Sequence, residues 1–130
     1  MIATTAVAQK GKDEPGRAVI SLYRVAPGLH VEFLKWMAQR EAVDREVGAP
    51  ATQWYAHADG DSWDYLAISP QLDPVAQAEL DKKLEAAAKK KGLTVGMKAA
   101  VELRKYMSWH TDTATRGPVG AQALVDEATK

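Results

Sequence analysis

The sequence predicts one α+β domain with the element order β-α-β-β-α-β, and three observations carry that expectation. A strand apolar on both faces, Arg17 to Val25, runs into a turn and then a helical repeat. An Asp-Gly turn separates two aromatic-rich strands, and a threonine-rich strand follows a further helical stretch. The 130 residues are one domain's length, enough to bury roughly two-thirds of the unfolded surface.

Arg17 to Val25 (RAVISLYRV) is rich in β-branched and aromatic residues and ends at Pro27-Gly28, the signature of a strand meeting a turn. Ala18, Ile20 and Leu22 alternate with Val19, Tyr23 and Val25, as in a central strand covered on both sides. Leu29 to Val47 then repeats apolar residues at helical spacing: Leu29, Phe33 and Met37, with Leu34 and Ala38. Gly48 and Pro50 stop that helix.

Thr52 to His57 and Ser62 to Ser69 flank Ala58-Asp59-Gly60-Asp61, which predicts a hairpin on a tight Asp-Gly turn. A two- or four-residue loop there pairs His57 with Ser62, Ala56 with Trp63, Tyr55 with Asp64 and Trp54 with Tyr65, whereas a three-residue loop shifts the register. Pro70 is expected to close the second strand. Asp73-Pro74 offers an N-cap with proline in the first helical position, for a helix from Val75 to Lys91 stopped by Gly92. Thr94 is placed to cap another, Val95 to about Met107, with Met97, Ala100, Val101, Leu103 and Tyr106 on its apolar side. Trp109 to Thr115 reads as the closing strand, Gly117-Pro118 as a break, and residues 118–130 as a short polar helix or tail.

This order is the split βαβ, or ferredoxin-like, arrangement, in which helices cover one face of an antiparallel sheet. The uncovered face here is greasy, so a second copy of the chain is the simplest cover. The chain resembles the dimeric α+β-barrel proteins of the antibiotic-biosynthesis-monooxygenase type. The likeness rests on Ser21-Leu22-Tyr23-Arg24-Val25, the Ala26-Pro27-Gly28 turn, Phe33-Leu34-Lys35-Trp36-Met37 and His110-Thr111-Asp112-Thr113, within residues 17 to 116. It is nearest to uncharacterised exported bacterial members, from which no catalytic residue carries over. The resemblance implies a homodimer, and a superfamily that spans cofactor-free monooxygenases, haem-using enzymes and isomerases does not select one chemistry.

Lysine plus arginine equals aspartate plus glutamate, 17 against 17, so no overall field draws nucleic acid or an anionic membrane. The run Lys89-Lys90-Lys91 falls at a helix end, where cations meet the negative end of the dipole. No cysteine is present, which excludes disulfides, thiolate metal sites and cysteine nucleophiles. Met1 to Gln9 ends its apolar stretch in Ala6-Val7-Ala8, a small-x-small pattern that fits the tail of an export signal and a periplasmic or secreted destination. It lacks a basic leader, so a plain leader on a cytoplasmic protein is the alternative; on either reading residues 1–16 stand apart from the domain at 17–117.

The candidate chemistry lies on the hairpin and the closing strand. His57 is a side chain of the type that accepts and passes on a proton, and Tyr55 and Asp64 face one another in the expected register. His110 and Asp112 share a face of the last strand, so His57, His110 and Asp112 are the candidate catalytic groups. Tyr55, Asp64, Trp36 and Tyr23 would shape a cleft for a small aromatic or planar ligand. The bland reading makes His57 a solvated strand end, pairs His110 with Asp112 alone, and assigns Trp54, Trp63, Tyr65 and Trp36 to packing. Three widely spaced histidines give no metal pattern, and no phosphate loop or nucleophile elbow occurs. Haem would need an axial ligand, which His57 or His110 offers, but nothing else supports it, so no cofactor is expected. Two functions follow: a small-molecule-binding protein or cofactor-independent enzyme, or a non-catalytic assembly domain joined through an aromatic sheet face.

Overall fold

Strand β1 (Arg17–Val25) is the hub of the sheet, because β3 (Tyr65–Gln71) and β4 (Met107–Arg116) pair antiparallel with its two edges. Strand β2 (Gln53–Ala56) pairs with the outer edge of β3, giving the order β2-β3-β1-β4. The computed structural model describes residues 16–130, so the expected leader, Gly16 apart, lies outside the described residues. The helices are α1 (His30–Val47), α2 (Pro74–Lys90), α3 (Gly96–Arg104) and α4 (Ala121–Ala128).

Register assigns the two faces of the sheet. Tyr23 stands opposite both Tyr65 and His110, and Ser21 opposite both Ala67 and Asp112, so these side chains share one face. Phe33 of α1 packs on that face, 5.2 Å from the Tyr23 ring and 5.7 Å from that of Tyr65. The other face carries Ile20 opposite Ile68, Leu22 opposite Leu66, and Tyr55 also opposite Leu66. Trp109 joins this second face opposite Arg24, whose guanidinium lies 5.3 Å from the centre of its ring.

The ends of α1 and α2 follow their sequences. Gly48 adopts φ 76° and ψ 26° and its N–H reaches the Arg45 carbonyl, a left-handed stop that a β-carbon would strain. Asp73 caps α2 by accepting from the Ala76 N–H at 3.0 Å, with Pro74 in the first turn.

Five expectations need correction. The hairpin pairs Tyr55 with Leu66 and Trp54 with Ala67, not Tyr55 with Asp64 or Trp54 with Tyr65. Asp64 instead bridges the hairpin to β1: its carbonyl accepts from the His57 N–H at 2.8 Å, its N–H donates to Tyr23 O at 2.7 Å and its Oδ2 accepts from the Val25 N–H at 2.7 Å. These bonds tie it to the end of β1 and lengthen the connection, while the two-residue shift keeps each side chain on its face. Pro70 does not close β3, which runs on to Gln71. Strand β2 reaches only to Gln53, opposite Ile68, so at Pro70 one side of β3 is an edge where a missing N–H is tolerated.

Thr94 does not cap α3; Val95 precedes the helix, and Thr94 binds Arg40 and Glu102. The expected apolar side of α3 is not core either, since Met97 is 79% exposed. Strand β4 begins at Met107 rather than Trp109, with a register shift between Arg24 and Val25 that pairs Met107 with Val25.

Candidate functional site

On the helix-facing side of β1 and β4, polar groups converge beside an aromatic cluster. Ser21, buried in the middle of β1, donates its hydroxyl to Asp112 Oδ1 at 2.7 Å. The second oxygen of Asp112 lies 3.5 Å from His110 Nδ1, within ion-pair range and beyond a normal hydrogen bond. The His110 ring lies nearly parallel to Tyr23, centroids 6.4 Å apart. Burial pushes the Tyr23 phenol above its ordinary 10.0; a hydrogen bond with Ser21 opposes that rise, and the charge of Asp112 adds to it. Tyr23 is therefore a neutral hydrogen-bonding group at physiological pH. His110 and Asp112 remain partly open to solvent, so a ligand can reach this end of the row.

Aromatic packing holds the row in place. Tyr23 stacks on Trp54 at 5.8 Å, Phe33 meets Trp54 edge-on at 6.3 Å, and Tyr65 meets Trp54 at 6.4 Å. Such pairs contribute about 0.5–1.5 kcal/mol each beyond area burial. The Trp54 indole N–H donates to Glu41 of α1, which ties the hairpin to that helix. One turn on, the Asp44 carboxyl is pushed up by burial first and by Glu41 second.

Of the sequence-derived candidates, the structure brings together Tyr23, His110 and Asp112. Tyr55 lies on the opposite face, 53% exposed. Asp64 secures the end of β1, 3.7 Å from His30 Nε2. His57, exposed beyond the end of β2, donates its backbone N–H to the Asp64 carbonyl at 2.8 Å, and its ring meets that of Trp63 at 5.6 Å. Trp36 belongs to a separate clasp. Ser21 went unnoticed in the sequence, although a lone hydroxyl in an otherwise apolar central strand must find a partner when buried. Trp54 and Tyr65 are packing groups here, on the helix side of the sheet.

The clasp joins α1 to α3. Trp36 Nε1 donates to Glu102 Oε1 at 2.8 Å, and the hydroxyl of Thr94 donates to the same oxygen at 3.0 Å. Arg40 lies over the Trp36 ring at 4.4 Å and donates to the Thr94 carbonyl at 2.6 Å. The Trp36 bond, then Thr94, then Arg40 hold the Glu102 carboxyl below the usual glutamate value of 4.5. A pKa lowered on folding supports the folded state above the unfolded value and loses that support as pH falls through the folded one. Acid titration of Trp36 fluorescence is therefore expected to show a step below pH 4.5 that Glu102→Gln removes. A step above that pH, or one that survives the substitution, would contradict the clasp.

Among the described residues no group of three or more His, Asp or Glu side chains is placed to hold a metal ion, and no helix is long and apolar enough to cross a membrane. No protein-family model and no curated protein matches the chain. Solved structures do. An uncharacterized NIPSNAP domain protein from Burkholderia xenovorans superposes with a TM-score of 0.54 at 15% identity, covering 81% of this chain and 96% of that one. The fold is the α+β ferredoxin-like one, with helices against a four-stranded antiparallel sheet. SnoaB, a cofactor-independent oxygenase from Streptomyces nogalater, superposes with a TM-score of 0.53 at 16% identity, covering 82% of this chain and 97% of that one. At such identities the likeness carries the ferredoxin-like backbone, and the chemistry has to be read from this chain's own side chains.

Proposed function

We propose that the domain binds a small planar aromatic molecule on the helix-facing side of β1 and β4, with His110 as proton acceptor. The observation that carries this reading is the series Tyr23, Ser21, Asp112 and His110 on two adjacent strands, closed by the 2.7 Å bond from Ser21 to Asp112. Asp112 faces Nδ1 of His110, which leaves Nε2 to meet a ligand hydroxyl. Transfer of that proton turns a phenol into a phenolate and the imidazole into an imidazolium, whose charge the Asp112 carboxylate balances. The neutral Tyr23 and the rings behind it supply a flat apolar wall. These residues supply proton transfer without a metal or an organic cofactor, as the word cofactor-independent describes for SnoaB.

Binding of 2-naphthol, read by quenching of tryptophan fluorescence, tests the assignment. Saturable binding is expected, with His110→Ala weakening it about tenfold, or about 1.4 kcal/mol, and leaving the circular dichroism spectrum unchanged. Tyr55→Ala, on the opposite face, should leave the affinity as it was. An equal affinity in His110→Ala, or no saturable quenching at all, overturns the assignment.

A second reading concerns assembly and is compatible with the first. The opposite face of the sheet exposes Tyr55 and Trp109, at 53% and 40%, beside Ile20, Leu22, Leu66 and Ile68. A second copy of the chain placed on that face would make a homodimer and leave the His110 row open.

A further inference from the structure

The row that holds Ser21 and Asp112 continues toward the start of β1. Val19 stands opposite Ala114, and Arg17 opposite Arg116, on the same helix-facing side as Tyr23 and His110. Arg17, Val19, Gln71, Ala114, Thr115 and Arg116 line an open groove of about 540 Å³, within the range of small-molecule sites. Its inner wall, Val19 and Ala114, abuts Ser21 and Asp112 directly. Its outer rim carries Arg17 and Arg116; Arg17 Nη2 donates to the Leu72 carbonyl at 3.3 Å, and a guanidinium has further N–H groups to offer a ligand. The groove already shows what such a group takes, because Arg116 Nη1 holds both carboxylate oxygens of Glu127, at 2.9 and 3.1 Å, from α4.

We infer that this groove selects ligands bearing a carboxylate on an apolar body, with Arg17 and Arg116 taking the carboxylate and Glu127 acting as an internal competitor for Arg116. The inference rests on the reading above for what lies at the ligand's far end. Six residues of extended strand separate Arg116 from His110, which meets the ligand hydroxyl, about 20 Å at about 3.3 Å per residue. An arginine side chain leaning along the strand, with a hydrogen bond at each end, closes the part of that distance that a fused-ring aromatic acid does not. The Val19–Ala114 step between the two ends offers only apolar contact, which suits such a body.

The competitor is weak. Arg116 and Glu127 are each more than half exposed, so their ion pair is screened and a ligand can displace it.

Two probes with one ring system make the test: 2-naphthol, and 6-hydroxy-2-naphthoate, which adds the carboxylate. The naphthoate is expected to bind at least fivefold more tightly than the naphthol at low ionic strength, with the margin shrinking as salt is added. Arg17→Gln combined with Arg116→Gln should level the two affinities. Glu127→Gln should tighten the naphthoate alone, by about two- to fivefold, the scale on which an exposed ion pair competes. That variant keeps both arginines and so tests the inference even if the double variant fails to fold. Equal affinities in the wild-type chain, or a naphthoate preference that survives loss of both arginines, overturns the groove's role and leaves the His110 site standing. Arginine-dependent binding of the naphthoate with no binding of the naphthol upholds the groove and overturns the His110 site. Failure of both probes overturns both.

Discussion

Phe33→Ala is expected to destabilise the domain by about 3–5 kcal/mol, the scale of a buried phenylalanine truncated to alanine. Phe33 is 0% exposed and is the one large side chain among the described residues with no measurable surface. Its ring touches those of Tyr23, Trp54 and Tyr65, so one truncation opens a gap against three neighbours at once. Small domains hold only about 5–15 kcal/mol in total. The urea midpoint of Trp54 fluorescence should therefore fall by more than about 1 M, given slopes of about 1–3 kcal/mol per M. Tyr23 loses its backing in the same variant, so 2-naphthol binding should weaken even where the chain stays folded. Phe33→Leu fills most of the space and should recover much of the loss. A cost below about 1 kcal/mol for the alanine would mean that the three rings close over the gap and that Phe33 does not anchor α1 to the sheet.

The element order and the faces of the strands were legible in the sequence because both rest on short periods. Alternation along Arg17–Val25 and helical spacing in Leu29–Val47 are local, and each survives into the structure with its boundaries shifted by a residue at most. What escaped was set by distant partners. The hairpin register depends on Asp64, whose bonds go to Tyr23 and Val25 of another strand. The clasp unites Trp36 with Glu102, 66 positions apart, and draws Thr94 away from the cap its position offers. The site divides in the same way. His110 and Asp112 share a strand and alternate, so their common face was visible, whereas Ser21 joins them only because β1 and β4 pair in this register. Tyr55, His57 and Asp64 looked equally suitable by residue type and separate once the sheet has two sides.

Leu66→Lys is expected to convert a dimer to a monomer without unfolding the chain. Leu66 sits centrally on the face away from α1, opposite Leu22 on one side and Tyr55 on the other. With Leu22, Ile20 and Ile68 it forms an apolar patch, beyond which Trp109 lies under the Arg24 guanidinium, and a stable interface takes about 800 Å² from each partner. Pairing about a two-fold axis would put the same residue of both copies near the centre, so the substitution buries two ammonium groups of like sign together. Desolvating such charges costs several kcal/mol per ion, which outweighs the contribution of one leucine side chain. Sedimentation equilibrium should report twice the chain mass for the wild-type protein and the single mass for Leu66→Lys, with unchanged far-ultraviolet circular dichroism. Val75→Lys, on the exposed outer side of α2, should leave the dimer intact and so controls for added charge. The His110 row points to the other side of the sheet, so the monomeric variant should bind 2-naphthol as the parent does. A wild-type chain that sediments as a monomer would leave this apolar face uncovered in solution, and the pairing of two sheets would have to be abandoned.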